Sequence, residues 1–309
     1  MRIVIFGTGG VGGYFGGRLA ASGADVSFVA RGGHLGALQK HGLRIQSPLG
    51  DVHVPTVKAT DNPASIGPAD VVFFTVKLYD TEAATVELKP LIGPKTVVVP
   101  LQNGVDSVDT LTRAIGAEHV GGGTCYLAAV ISEPGVIRHT AMNRMIFGAP
   151  GNKANVSAVL TGLLAACANS GFEAVMSPNI QVDIWAKFVR LTVFSGMTAV
   201  TRCPIGVIRD NPALSEMARG ALKESMAVAL AKGVPLTDAL IDEVQVATAA
   251  LPYNARSSML EDLERGRRLE LPWLSGAVVR IGEQLRVHTP IHQFITTILS
   301  PHVNGAAAR

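Results

Sequence analysis

The sequence predicts an α/β protein: an N-terminal parallel sheet with helices on both faces, followed by a C-terminal all-helical domain. Three observations predict it. Short β-branched runs alternate with helical patterns through the first half, which is how a parallel sheet and its crossover helices read in sequence. A glycine-rich turn joins the first of these runs to the first helical pattern. From about Pro178 the strand runs stop and only helical periodicity remains. The expected boundary therefore separates residues 1–177 from residues 178–309.

Strands are expected at Arg2 to Phe6, Asp25 to Ala30, Asp70 to Val76 and Thr96 to Pro100, each rich in Val, Ile or Phe. Leu43 to Gln46 and Asp51 to Val54 flank Pro48 to Gly50 and read as a hairpin. After Gly121-Gly122-Gly123, pieces around Tyr126 to Ile131, Val136 to His139 and Arg144 to Phe147 are expected to finish the sheet. Ala154 to Phe172 is nineteen residues without a charge, but its Asn, Ser and Thr make a poor membrane span. Val156, Val159, Leu160, Leu163 and Leu164 recur there at helical spacing, so a core-facing helix is expected. Near the start, the apolar run Ile3 to Phe6 is too short for a signal peptide. Helices are then expected over Gln181 to Val200, Pro212 to Lys232, Thr237 to Ala250 and Trp273 to Leu285. Gly233-Val234-Pro235 stops one of them, Thr237 is a candidate N-cap for the next, and the tail Asn304 to Arg309 is expected to fray.

Composition narrows the class. The 309 residues are 48% hydrophobic and 17% charged, enough for one large core or two ordinary ones. The 33 glycines exceed the usual share without a G-X-Y period, which excludes collagen and points to tight turns and close backbone approach. A net charge of +3, spread along the chain, excludes the clustered basic footprint of a nucleic-acid binder. Three cysteines, Cys125, Cys167 and Cys203, suit neither a disulfide framework nor a CxxC metal site and read as buried thiols of a cytoplasmic protein.

Gly7-Thr8-Gly9-Gly10-Val11-Gly12 matches GxGxxG between a strand and a helix, the context that makes it the fingerprint of a Rossmann-type, dinucleotide-binding domain. The first glycine makes the turn, the second lets backbone N–H groups reach a pyrophosphate, and the third lets the helix close on the strand. At the end of the second strand, where NAD enzymes place an acidic residue, the chain has Arg31, which favours NADP by pairing with a 2′-phosphate; a solvated arginine is the alternative. Lys77 and Asn103 follow the third and fourth strands at the carboxyl edge, where open sheets bind ligands, although a solvated lysine and a turn asparagine before Gly104 fit as well.

With these motifs, the chain resembles the ketopantoate reductase (2-dehydropantoate 2-reductase) family within the 6-phosphogluconate dehydrogenase-like superfamily. The likeness rests on Gly7 to Gly12, Arg31, Val76-Lys77, Gln102-Asn103-Gly104, Trp185-Ala186-Lys187, Thr198-Ala199, Ser257 to Asp262, Glu270 and Gly276. It implies NADPH-dependent reduction of 2-dehydropantoate to pantoate, a step of pantothenate biosynthesis, with substrate between the domains and the helical domain as the candidate homodimer surface. It implies that Lys187 binds substrate and supplies the proton, and that Glu270 contacts the cofactor and helps hold the active site. It also implies that Ser258 binds the substrate carboxylate and that Asn103 sits between nicotinamide and substrate. Read alone, Ser257-Ser258 is a helix cap with Glu261 at capping-box distance from Ser258. Arg265, Arg267 and Arg268 read as a solvated turn.

The family pattern has asparagines four and eight positions after that lysine; this chain has Leu191 and Ser195, on the same helix face. Leu191 removes hydrogen bonds to a polar substrate, which opens the alternative of a less polar 2-oxo acid. A non-catalytic NADP-binding sensor is the alternative outside enzymes. No metal site is expected: His288 and His292 flank a proline and lack the Glu of HExxH. No nucleic-acid or membrane partner is expected either.

Overall fold

The computed structural model describes residues 1–151 and 153–306. The chain divides into two compact units, Met1–Gln102 with Asp106–Asp183, and Asn103–Val105 with the chain from Ile184 onward. The division falls a few residues beyond the expected boundary, inside a helix, and the loop residues Asn103–Val105 group with the helical unit.

The first unit holds β1 (Arg2–Phe6), β2 (Asp25–Val29), β3 (Leu43–Gln46), β4 (Val52–Val54), β5 (Lys58–Thr60), β6 (Val71–Phe74), β7 (Val97–Pro100), β8 (Gly122–Glu133), β9 (Val136–Gly148) and β10 (Glu173–Met176). Five of them form a wholly parallel sheet in the order β5-β2-β1-β6-β7. Strand order reverses at β1, so its carboxyl end is the switch point where such sheets bind ligands.

The strand pieces expected to finish that sheet do not join it. They form the long hairpin β8–β9 of a second, mixed sheet, ordered β10-β9-β3-β4, which also takes up the predicted hairpin β3–β4. Periodicity marks a strand but not its partner, and β3 pairs with β9 across some ninety residues of chain.

Helix α1 (Gly10–Ala21) packs against both sheets, and this accounts for its glycines. A Cβ on Gly16 would strike Ile5 and Phe28 of the parallel sheet; one on Gly13 or Gly17 would strike Ile137, Leu43 and Ile45 of the mixed one. α2 (Gly32–His41) follows β2. The opposite face of the parallel sheet, with Val4, Phe6, Val72, Phe74 and Val98, is covered by α3 (Thr81–Glu87) and α4 (Ser107–Ile115) through Ala84 and Leu111. Each phenylalanine buried there contributes about 1.5–3 kcal/mol. α5 (Ala154–Cys167) buries Val156, Leu160, Leu163 and Cys167, as its spacing predicts, with Val159 and Leu164 partly buried beside them. Burial pushes the Cys167 thiol up to about 12, leaving it an inert apolar side chain. Cys203 is only half-buried, unlike the other two.

The second unit is helical. It contains most of α6 (Ile180–Thr201), then α7 (Ile205–Asp210), α8 (Pro212–Ala231), α9 (Ala239–Ala249), α10 (Ser258–Glu264), α11 (Ser275–Leu285) and α12 (Pro290–Leu299). Asn211 caps α8, its Oδ1 accepting from the N–H groups of Ala213 and Leu214 with Pro212 at the first turn. The expected cap Thr237 is displaced by Asp238, whose side chain makes no capping bond. Residues 304–306 are tied down rather than frayed: Asn304 bridges to Arg268 and the Ala306 N–H donates to Gly266 O, while 307–309 lie outside the described residues. Among the described residues no helix is long and apolar enough to cross a membrane, and no cluster of three His, Cys, Asp or Glu could hold a metal ion.

Candidate active site

The four glycines of the first turn are glycine for different reasons. Gly7 has φ +102° and sits where a Cβ would lie 2.8 Å from the Val76 nitrogen, so it makes the turn. A Cβ on Gly12 would lie 2.5 Å from both Gly7 O and Thr75 Oγ1, so it closes the helix on the strand. A Cβ on Gly10 would overlap the Ala129 carbonyl of β8. Gly9 alone has open space where its Cβ would be, and its φ of −83° suits any residue. Neither conformation nor packing explains that glycine, and backbone approach by a ligand does. The first backbone bond of α1 runs from Gly13 N to Gly9 O at 2.7 Å, so the N–H groups of Gly10, Val11 and Gly12 have no intrahelical acceptor. The turn fits a pyrophosphate. Thr8 contributes backbone only, since its buried hydroxyl donates to Val29 O at 2.9 Å.

Arg31 lies where the sequence places it, just before α2, but it is not simply solvated. Its Nη2 reaches both oxygens of Glu87, at 2.6 and 2.7 Å. Sequence reasoning missed Glu87, which is 56 residues away and carries no motif. Lys77 is exposed just beyond β6. Gln102 ties this edge together, donating to Val76 O and Thr81 Oγ1, both at 2.8 Å. His34, also missed, accepts from the Gly135 N–H at 3.1 Å, and burial holds its pKa below the usual histidine value.

The second unit gathers three of the expected residues. Lys187 Nζ donates to Asn103 Oδ1 at 3.0 Å, and Asn103 Nδ2 approaches Glu270 Oε2 at 3.5 Å. An ammonium only donates and a carboxylate only accepts, so the two ends of one amide are oriented by the two charges beside them. Lys187 is half-buried and Glu270 is 8% exposed, so screening by water is reduced. Trp185 packs edge-on against Phe188 on the same helix, with ring centroids 5.3 Å apart.

Ser258 is exposed at the start of α10, and Ser257 rather than Ser258 is the cap. The Ser257 hydroxyl accepts from the Leu260 N–H at 3.0 Å and bonds the Thr198 hydroxyl of α6 at 2.7 Å, so the expected Ser258–Glu261 capping box does not form. Glu261 instead pairs with Arg265 at 3.7 Å, and Arg267 pairs with Asp262 at the same distance. Leu191 is half-buried, whereas Ser195 is 1% exposed with its hydroxyl among the buried groups lacking a partner.

A parallel-sheet unit whose first turn fits a pyrophosphate, and a helical unit with an oriented lysine, are the parts expected of a nicotinamide-dependent oxidoreductase. The family models "Ketopantoate reductase PanE/ApbA" and "Ketopantoate reductase PanE/ApbA C terminal" match residues 3–152 and 179–302. A 2-dehydropantoate 2-reductase of Archaeoglobus fulgidus is 32% identical over 96% of both chains. An uncharacterized oxidoreductase of Bacillus subtilis, YkpB, is 31% identical over 94% of this chain and 95% of its own. The crystal structure of a PanE/ApbA family ketopantoate reductase from Ralstonia eutropha superimposes with a TM-score of 0.89 at 30% identity, covering 98% of each chain. The chain belongs to the ketopantoate reductase family, and is an oxidoreductase of the 2-oxo acid and 2-hydroxy acid type.

Proposed function

We propose that the protein reduces 2-dehydropantoate to pantoate with NADPH, as a step of pantothenate biosynthesis in the cytoplasm. The observation that carries the reading is the Lys187–Asn103–Glu270 chain. The Gly7–Gly12 turn, Arg31 and Lys77 would hold NADPH, with Asn103 and Glu270 at its nicotinamide end. Bound there, NADPH supplies the hydride that the substrate carbon accepts.

Lys187 takes the other half of the reaction. As the carbonyl carbon is reduced, charge develops on its oxygen; the ammonium stabilises that charge and then delivers a proton, leaving a hydroxyl. Its proton is afterwards restored from water. An ammonium has three N–H groups, so the bond to Asn103 fixes its direction and leaves it able to donate. Glu270, on the other end of the Asn103 amide, holds that amide so that its oxygen faces Lys187. Ser258 would donate its hydroxyl hydrogen to the substrate carboxylate, with Thr198 and Ser257 fixing the helix that bears it.

The test is NADPH oxidation with 2-dehydropantoate by the wild type and by Lys187→Ala. The variant should lose about 10²–10⁴-fold in kcat, the usual worth of a general acid. Equal rates would remove Lys187 from this role. Leu191 favours a second reading in which a less polar 2-oxo acid is preferred, because a half-buried leucine lines the helix face that bears Lys187. Ranking a panel of 2-oxo acids by kcat/KM separates the two.

A further inference from the structure

We propose that Glu87 sets the cofactor preference of this enzyme by competing with the 2′-phosphate of NADPH for Arg31, so that the chain accepts NADH far more readily than Arg31 alone would dictate. The inference rests on the proposed nucleotide site and sharpens it. Arg31 and Glu87 border an open depression of about 780 Å³ at the end of β2, together with Asp61 and Asn62. The Arg31 guanidinium and the Glu87 carboxylate are paired at its rim. One nitrogen of that guanidinium is already held against both oxygens of Glu87.

A phosphate dianion entering here must draw Arg31 away from Glu87 and then sit beside that carboxylate, in a depression that Asp61 also lines. A ribose with a free 2′-hydroxyl meets no such repulsion, and Glu87 offers it a hydrogen-bond acceptor. The position of Glu87 is not explained by its own helix. It is the last residue of α3, where the backbone dipole disfavours a carboxylate. The pair is exposed, 67% for Arg31 and 39% for Glu87, so salt screens it and a phosphate can displace it. Glu87 tunes the preference without forbidding either cofactor.

Calorimetric dissociation constants for adenosine 2′,5′-bisphosphate and 5′-AMP measure selectivity for the 2′-phosphate directly, and kcat/KM for NADPH and NADH measures it in turnover. Glu87→Gln should raise the 2′-phosphate selectivity by about three- to tenfold in both, an effect that shrinks as salt is raised. Thermal unfolding should change little, since the residue is only half-buried at a helix end and its ion pair is screened by water. Arg31→Ala is the companion variant. If it lowers the selectivity while Glu87→Gln leaves it unchanged, the competition is overturned and the phosphate site stands. If Arg31→Ala leaves the selectivity unchanged, the phosphate site and the competition fall together.

Discussion

Gly9 and Gly10 are adjacent and identical in sequence, yet they resist substitution for opposite reasons. Gly9 faces open space with ordinary backbone angles, while Gly10 lies against the Ala129 carbonyl. Gly9→Ala should therefore keep the fold, with stability unchanged or raised by about 0.4–1 kcal/mol through the unfolded chain, while weakening nucleotide binding. Gly10→Ala should cost about 1–3 kcal/mol, because a rigid carbonyl must move. Melting temperatures and nucleotide dissociation constants of the two variants check this, and a Gly9→Ala protein that binds nucleotide normally would defeat the assignment of that turn. The motif was legible because its chemistry is local. Glu87 was not, because its relation to Arg31 exists only once α3 has been folded beside β2. Lys187, Asn103 and Glu270 lie between these cases: each is an ordinary residue locally, and the family resemblance singled them out before any distance could.

At the scale of elements, the hydroxyl pair Thr198–Ser257 joins the last turn of α6 to the start of α10 and so places Ser258. Ser257 is 2% exposed and serves two partners, the Thr198 hydroxyl and the Leu260 N–H. Ser257→Ala removes a cap worth about 1 kcal/mol and with it the bond to Thr198, whose hydroxyl keeps its own bond to Phe194 O. The expected outcome is a clear fall in melting temperature together with a raised KM for the 2-oxo acid. A change in stability with KM untouched would show that the joint is structural alone. Helix and strand periods gave the parallel sheet and the main helices of the second unit, because those patterns repeat within one element. The second sheet was read as part of the first, because β8 and β9 look like any other strands until β3 and β10 are found beside them. The glycines of α1 record that sheet indirectly, since contacts on both sides of one helix leave no room for side chains.

On the scale of the whole molecule, the helical unit carries a buried titratable group that ties its pH stability to one histidine. His292 is fully buried on α12, where Nε2 lies 3.0 Å from Ala221 O and 2.8 Å from the Ser225 hydroxyl of α8. Thr192 of α6 donates to Val189 O, so Ser225 must donate to Thr192 and accept from His292. That network places the single proton on Nε2 and leaves Nδ1 bare, without a partner among buried groups. A second proton on Nδ1 would meet no acceptor, and burial accordingly pushes the His292 pKa down to about 4. Unfolding returns it to about 6.5, so between these values the unfolded chain binds the extra proton. Stability is full above about pH 6.5 and falls by about 3 kcal/mol as the pH drops to about 4. Both tryptophans, Trp185 and Trp273, lie in this unit, so their fluorescence reports its unfolding separately from the sheet unit. Denaturation midpoints followed by that fluorescence should decline across this window in the wild type and less so in His292→Gln, whose amide can donate to the same oxygens without titrating. Parallel pH profiles for the two proteins would show that other groups govern the acid limb.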